Sequence, residues 1–217
     1  PGDPVRVCRW DGSDLERIHL ADSVDLRLRS ILQIVSAPTG EVWFGGAGLY
    51  RFDGERFECV IEPPTTPGDL LYYMLLRSNG ELWFVRCNGE LTVYAAGRFD
   101  HRGRVFAGHR ISGLREDPQG AIWLTSQGKA LLHCDGSGFS VVQESENPLI
   151  GNPCLDPQGR LWVGTEGWGL YCYDTTRFTV YRKEHGLPAS DVYCLAQGAD
   201  GRLLIGTSAG VVGYYGA

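Results

Sequence analysis

A five-residue pattern recurs along the chain at nearly constant spacing: glycine, any residue, an aliphatic residue, tryptophan and an apolar residue. Its copies begin at Gly40, Gly80, Gly120, Gly159 and Gly201. The fifth copy has leucine in place of tryptophan, and successive anchor glycines are 39 to 42 residues apart. Chance does not place five such copies so regularly in 217 residues. The chain is therefore built from a structural repeat.

A second landmark follows each of the first four anchors. It is a cluster of aromatic and turn residues: YRFDG at 50–54, VYAAG at 93–97, LHCDG at 132–136 and YCYDT at 171–175. A phenylalanine comes shortly after each cluster, at Phe57, Phe99, Phe139 and Phe178. The segment CRWDG at 8–12 is an additional copy of this second landmark near the start of the chain.

The segments around these landmarks have the composition of short strands. Each anchor glycine closes a turn such as DPQG (117–120 and 156–159), in which glycine is free to adopt positive φ. One strand precedes the turn, the tryptophan strand follows it, and the aromatic cluster and the phenylalanine open two more. Four short strands in about 40 residues is the period of a propeller blade. We therefore predict an all-β protein, a β-propeller of four-stranded antiparallel blades, with five blades.

The tryptophan strand indicates how the blades pack. Its core reads VWF, LWF, IWL, LWV and LLI in the five copies, whereas a sheet with one solvated face would alternate apolar and polar residues. Three consecutive apolar residues require that both faces of the strand are covered, as they are when blades stack face to face. We therefore predict that the tryptophans form the core between blades and do not line a ligand site.

The two ends of the chain bear on how the blades close. Residues 5–10 and 211–215 both resemble a third strand, so five first-and-second strand pairs stand beside six third strands. We predict one domain over residues 1–217, in which the N-terminal segment completes the last blade and removes an exposed sheet edge. A piece of a longer array of blades is the alternative. The additional third strand has no place in the five-bladed ring.

Composition excludes several classes of partner. The net charge is −6 and the basic residues are dispersed, which disfavours nucleic acid as a partner. The longest apolar run, LLYYMLL at 70–76, is too short to span a membrane. Seven cysteines are scattered without a CxxC pair or zinc-ligand spacing, which is typical of small buried apolar residues. One or two disulfides are not excluded by this pattern.

The strongest repeats carry a family resemblance. The segments DPQGRLWVGTEGWGLYCYD and FTVYRKEHGLPASDVYCLAQGADGRLLIGT closely resemble the two-component regulator propeller repeat, which is found in the extracytoplasmic part of bacterial sensor proteins. The resemblance implies a sensory, ligand-binding module for signal transduction, in the periplasm or outside the cell. The segment GAIWLTS is also similar to the repeats of streptogramin lyase, another propeller.

Candidate binding residues lie in the variable connections. The turns that carry DPQG face one end of a propeller, and the second-to-third strand connections and the links between blades face the other end. Variable loops on a rigid scaffold are the usual place for binding. The residues there that packing does not explain are Tyr72, Tyr73, Arg86, His109, Arg110, Lys129, Glu166 and Trp168. Cationic side chains next to aromatic rings would suit a small anionic or sugar-like ligand.

Catalytic signatures are weak. The chain has no GxSxG, HExxH or phosphate-binding glycine motif, so we expect no cofactor, no metal ion and no catalytic residues. Two alternatives to the sensory module remain open: a protein–protein interaction scaffold, and a lyase-like enzyme with His109 and Glu166 as its acid–base pair. The binding function predicts that Trp168→Ala weakens ligand binding and leaves the melting temperature nearly unchanged.

Overall fold

The computed structural model describes residues 7–10, 12–18, 31–62, 71–86, 88–105, 110–127, 130–135 and 138–215. Nearly all regular structure in these residues is β-strand, with one turn of 3₁₀ helix at Lys183–His185. Within them, no helix has the length and apolarity needed to cross a membrane. The chain divides into two compact units, Pro1–Gly103 and Arg104–Ala217.

The first unit contains a hairpin and two four-stranded antiparallel sheets. The hairpin consists of β1 (Val7–Trp10) and β2 (Leu15–Ile18). One four-stranded sheet consists, in chain order, of β3 (Ile31–Ser36), β4 (Val42–Gly46), β5 (Leu49–Phe52) and β6 (Phe57–Ile61). The other consists of β7 (Leu71–Leu76), β8 (Leu82–Arg86), β9 (Glu90–Ala95) and β10 (Arg98–Arg104).

The second unit contains two four-stranded sheets and one three-stranded sheet, again antiparallel and in chain order. The first sheet consists of β11 (Ile111–Glu116), β12 (Ile122–Ser126), β13 (Ala130–Cys134) and β14 (Phe139–Glu144). The second consists of β15 (Leu149–Leu155), β16 (Leu161–Thr165), β17 (Leu170–Tyr173) and β18 (Phe178–Tyr181). The third consists of β19 (Val192–Gln197), β20 (Leu203–Thr207) and β21 (Gly210–Tyr214).

These sheets are the blades of a β-propeller, as the repeat predicts. Each anchor glycine precedes the second strand of a sheet, each aromatic cluster lies on or just after the third, and each of the four phenylalanines lies in the fourth. The N-terminal copy of the second landmark forms the hairpin β1–β2, and the last sheet has a first, second and third strand. That residues 1–217 form a single ring, with the N-terminal segment completing the last blade, stays a prediction.

The tryptophan strands pack as their continuous apolarity predicts at Trp43, Trp83 and Trp162, which are buried, whereas Trp123 is half-buried and lines a cavity. All five residues of β16 are buried. Leu161 and Val163 pack into a core cluster with Leu131 and Leu149 of the neighbouring strands. Trp162 packs on the other face, in a cluster formed mainly with the sheet that follows. Alternate residues of one strand therefore fill two different cores, one on each side of the blade.

Two of the turns that precede the anchors are built by an aspartate, Asp117 or Asp156. In DPQG at 156–159, the Asp156 Oδ1 atom accepts hydrogen bonds from the backbone N–H of Gln158 at 3.0 Å and of Arg160 at 2.9 Å. The closing residue, Gly159, has a φ of 77°, a conformation that residues with a side chain rarely adopt. The carboxylate therefore fixes the turn, and the glycine permits it.

Three of the anchor tryptophans belong to a group that also contains a carboxylate and a guanidinium. Trp162 Nε1 donates to Asp156 Oδ2 at 2.8 Å, Arg160 Nε donates to the same oxygen at 2.7 Å, and the Arg160 guanidinium lies 5.3 Å from the centre of the indole. The same three contacts occur at Trp83 with Glu81 and Arg77, and at Trp43 the Arg51 guanidinium lies 5.9 Å from the ring centre and pairs with Glu41 at 3.2 Å. We call each group an indole triad.

Adjacent first strands are joined by side chains that bond to the neighbouring backbone. In the first unit, Gln33 of β3 donates to the carbonyl of Met74 at 2.8 Å and accepts from its N–H at 2.6 Å. In the second unit, Asn152 of β15 accepts from the N–H of Leu114 at 3.0 Å. A Cβ on Gly113 would lie 2.2 Å from the carbonyl oxygen of Gly151. Glycine is therefore required there for the close approach of β11 and β15.

Candidate functional site

The two ends of a blade differ in how far their connections repeat from one blade to the next. At one end, which we call the turn end, lie the turns between first and second strands and between third and fourth strands. At the other, which we call the loop end, lie the connections between second and third strands and the links from one blade to the next. The turn end repeats the same hydrogen-bonded aspartate in the second unit, at Asp117 and Asp156. The loop end varies.

The loop that presents Trp168 is the best defined feature of the loop end in the second unit. It joins β16 to β17 and reads Glu166-Gly167-Trp168-Gly169. The carbonyl of Gly169 accepts both the N–H of Thr165 at 3.1 Å and its hydroxyl at 2.6 Å. The Trp168 side chain is 49% exposed. A large apolar ring is thus held in solvent by a loop whose base is fixed.

The glycines on either side of Trp168 explain the local conformation. Gly167 and Gly169 have φ values of 80° and 92°, both in the region that favours glycine. A Cβ on Gly169 would lie 2.2 Å from the carbonyl oxygen of Tyr181, so no other residue fits there without movement of the backbone. The sequence GWG therefore specifies one loop conformation, with the indole as its only large side chain.

The following blade contributes the neighbours of this loop. The N–H of Gly169 donates to the carbonyl of Ser190 at 2.8 Å. The Asp191 carboxylate accepts the hydroxyl of Ser208 at 3.1 Å, and its Oδ1 atom lies 4.0 Å from the position that a Cβ on Gly167 would take. Sequence reasoning missed Ser190, Asp191 and Ser208, because they stand in ordinary turn sequences and meet the GWG loop only through contacts between blades.

The arrangement around Trp168 combines an exposed ring with oxygen-rich side chains. Glu166 is exposed beside it, and Asp191 and Ser208 form the adjoining edge. Rings stack on the apolar faces of sugars and of planar groups, while carboxylates and hydroxyls accept and donate hydrogen bonds to ligand hydroxyls. Two carboxylates at this edge disfavour an anionic ligand, because like charges repel.

Three of the predicted binding residues lie together in the first unit. Tyr72 and Tyr73 are in β7, where the pairing with β8 shifts register between Leu71 and Tyr73. Arg86 is the last residue of β8 and is paired with Leu71. Tyr73 and Arg86 are both half-buried, and the Tyr72 side chain is outside the described part of the structure. These residues are therefore at the loop end of one sheet, and their role in binding stays a prediction.

The remaining predicted residues are in the second unit or outside the described residues. Arg110 is exposed just before β11, where its carbonyl accepts the N–H of Gln127 at 2.9 Å. Glu166 and Trp168 are in the next blade along the chain. His109 and Lys129 lie outside the described residues, so the His109–Glu166 pair of the lyase alternative is not tested.

The cysteines in the described residues are all free thiols. Cys134, Cys154 and Cys172 are buried, as predicted for small apolar residues, whereas Cys59 is half-buried and Cys8 and Cys194 are exposed. Burial raises the pKa of the Cys172 thiol to about 11 and that of the Cys59 thiol to about 11, which makes both poor nucleophiles at neutral pH. Within the described part of the chain, no group of three His, Cys, Asp or Glu side chains is placed to hold a metal ion.

Comparisons with known proteins agree with the resemblance seen in the sequence. Residues 154–167 and 186–209 match the family model of the two component regulator propeller. Trp168 falls immediately after the first matched segment. No sequence among the curated proteins matches the chain.

Solved structures share the fold at low sequence identity. Virginiamycin B lyase from Staphylococcus aureus aligns with a TM-score of 0.67 and 18% identity, over 83% of this chain and 68% of the lyase. The extracellular domain of a protein from B. thetaiotaomicron described as a hybrid two component system aligns with a TM-score of 0.69 and 18% identity, over 86% and 27%. PorZ, a surface component of the type-IX secretion system of Porphyromonas gingivalis, aligns with a TM-score of 0.70 and 16% identity, over 93% and 35%.

Proposed function

We propose that the chain is a non-catalytic sensory propeller module that binds a small sugar-like ligand at the loop end of its second unit. Trp168 carries this proposal, because its ring is 49% exposed on a loop whose base is fixed by Thr165 and Gly169. An exposed ring adds nothing to the core, and a fixed loop loses little conformational entropy when a ligand binds. Both properties favour a binding role.

The carboxylates beside Trp168 favour one of the two predicted ligand classes. The sequence predicts an anionic or a sugar-like ligand, and the carboxylates of Glu166 and Asp191 favour the second. In this arrangement the indole stacks on the apolar face of a sugar ring, and Glu166, Asp191 and Ser208 bond to its hydroxyls. Arg110, a predicted binding residue, precedes the first strand of the preceding blade at this same end.

The similarity to two component regulator propellers supports a sensory role. The extracellular domain from B. thetaiotaomicron has this fold, and we propose a periplasmic or extracellular location for this chain as well. Binding at the loop end would then be passed to another protein domain. Of the two open alternatives, a scaffold for another protein would use the same exposed ring, and a lyase would need His109.

The test is a screen of immobilised neutral and acidic oligosaccharides with the wild-type chain and with Trp168→Ala. We expect the wild type to bind a subset of the neutral oligosaccharides, and the variant to bind them at least tenfold more weakly with an unchanged melting temperature. Tyr215→Ala is the matched control, since Tyr215 is 75% exposed at the end of β21, and it should bind as the wild type does. Equal binding by wild type and Trp168→Ala would contradict the proposal.

A further inference from the structure

The blade formed by β11–β14 has an incomplete indole triad. Trp123 Nε1 donates to Asp117 Oδ2 at 2.9 Å, as Trp162 does to Asp156. No described arginine or lysine lies over the Trp123 ring as arginines do at the other three anchor tryptophans; the ring packed against it is that of His133, with the ring centroids 4.5 Å apart. Nor does any described cation form an ion pair with Asp117. The carboxylate and the indole are present, and the guanidinium is missing.

The sequence explains why the guanidinium is missing. In the complete triads, the arginine comes from one of three repeat positions: the first residue of the turn (Arg77), the residue after the anchor glycine (Arg160), or the third-strand partner of the tryptophan (Arg51). The corresponding residues in the incomplete triad are Asp117, Ala121 and His133. None of them carries a guanidinium.

A cavity of the second unit opens at this place. It has a volume of about 760 Å³ and is lined at the turn end by Trp123, Asp117, Asp156, Glu116 and Arg115, with Gln119, Gln158, Gln197 and Thr175 around them. Asp156 is already paired with Arg160, which leaves the carboxylates of Asp117 and Glu116 against the guanidinium of Arg115 and makes the lining acidic. Trp123 is half-buried, whereas Trp43, Trp83 and Trp162 are 3%, 7% and 0% exposed.

We propose that this cavity binds an organic cation of the guanidinium class beside Asp117, where it makes the ion pair that Arg160 makes with Asp156 in the next blade. The bound guanidinium donates to Asp117 Oδ2, which accepts one hydrogen bond from Trp123 where Asp156 Oδ2 accepts two. It also contacts the Trp123 ring from the cavity, whose lining includes Trp123 but not His133, so that cation–π attraction adds to the ion pair. The site is at the turn end, and it does not rest on the proposed function of Trp168.

Arg115 is the competing occupant. It is the cross-strand partner of Trp123, and its exposed side chain lines the same cavity. Its side chain neither forms an ion pair with Asp117 nor lies over the Trp123 ring. The variant Arg115→Gln distinguishes binding of a ligand cation from occupancy by Arg115. It removes the competing charge and leaves Asp117 and Trp123 unchanged.

The experiment is calorimetric titration with N-acetyl-arginine amide, with the neutral isostere N-acetyl-citrulline amide as the control ligand. We expect the wild type to bind the arginine derivative at least tenfold more tightly than the citrulline derivative, and Arg115→Gln to bind it at least as well. Ethylguanidinium and an acetyl-Gly-Arg-Gly-amide peptide then show whether a free cation suffices or a peptide adds contacts. Binding by Arg115→Gln but not by the wild type would overturn the proposal.

Ala121→Arg is the decisive variant, because it restores the arginine that completes the triad at Trp162. We expect it to bind the arginine derivative at least tenfold more weakly than the wild type, while Ala121→Ser binds within twofold. Asp117→Asn serves as a second variant and should also weaken binding if its melting curve shows a folded protein. Trp168→Ala should bind normally. Equal affinity of Ala121→Arg and wild type would overturn the proposal.

Discussion

Trp162 and Trp168 are six residues apart and lie in opposite environments. Trp162, on β16, is fully buried, with its N–H bonded to Asp156 and its ring beneath Arg160. Trp168, on the loop after β16, is 49% exposed. The first occupies a position that the repeat specifies in four of its five copies, and the second has no counterpart in the other copies. The repeat thus specifies the core of the blade, whereas the loop end differs from copy to copy.

The largest predicted effect on stability is that of replacing the buried Trp162. Trp162→Ala removes a fully buried indole and leaves Asp156 and Arg160 without their common neighbour. We expect the free energy of unfolding to fall by about 3 to 5 kcal/mol, as large-to-small core substitutions do. Urea denaturation followed by circular dichroism measures this loss. A cost below about 1 kcal/mol would mean that the repeat tryptophans are not the core.

The glycines that flank Trp168 test whether the exposed loop is fixed. Gly169→Ala places a Cβ 2.2 Å from the backbone carbonyl of Tyr181 at a φ of 92°, so we expect a loss of about 3 kcal/mol from strain and displaced backbone. Gly167→Ala has the same kind of φ but only the Asp191 carboxylate at 4.0 Å, and should cost about 1 to 2 kcal/mol. Equal costs in urea denaturation would show that the Gly169 contact does not hold the loop.

Because of the aspartates in the blade turns, the free energy of unfolding should decrease at acid pH. Burial on its own would raise the pKa of Asp156, but hydrogen bonds from Trp162 and Arg160 outweigh it and hold the pKa below its ordinary value. The hydroxyl of Thr176 and the N–H groups of Arg177 and Thr176 likewise lower the pKa of Asp174 to about 2. A carboxyl whose pKa is lower in the folded than in the unfolded protein stabilises the folded state. This stabilisation is complete above the unfolded-state pKa near 4 and is lost as the pH falls through the folded-state pKa.

Urea denaturation between pH 6 and pH 2 measures this dependence. We expect the midpoint of the wild type to be nearly constant down to about pH 4 and then to fall. Asp156→Asn should have a lower midpoint at pH 6 and a smaller fall below pH 4, because its side chain does not titrate. Superimposable pH profiles for the two proteins would contradict the role given to Asp156.

The smallest predicted effect on stability belongs to Trp168. Trp168→Ala should change the free energy of unfolding by no more than about 0.5 kcal/mol, as surface substitutions usually do, while it removes the ligand-binding surface. The melting temperature of the variant, measured beside that of Trp162→Ala, checks this. A loss comparable to that of Trp162→Ala would make Trp168 part of the core and remove the basis of its binding role.

The sequence predicted the blades well because each repeat carries its own local signals. The anchor glycines, the DPQG turns and the apolar runs located the strands, and the burial of Trp43, Trp83 and Trp162 followed from covered faces. The contacts between blades were not predicted. The bonds from Gln33 to Met74 and from Asp191 to Ser208 join distant segments, and no local pattern marks them. The guanidinium of an indole triad comes from three different repeat positions, so only the structure shows that these arginines are equivalent.

Hydrogen exchange of the indole N–H groups, followed by nuclear magnetic resonance, tests the difference between the repeat tryptophans and Trp168 most directly. The N–H groups of Trp83, Trp123 and Trp162 each donate to a carboxylate at 2.8 to 2.9 Å, so they should exchange slowly, and that of Trp162 only with the opening of its blade. The N–H of the half-exposed Trp168 should exchange orders of magnitude faster. Protection of Trp168 equal to that of Trp162 would contradict the assignment of one tryptophan to the core and the other to binding.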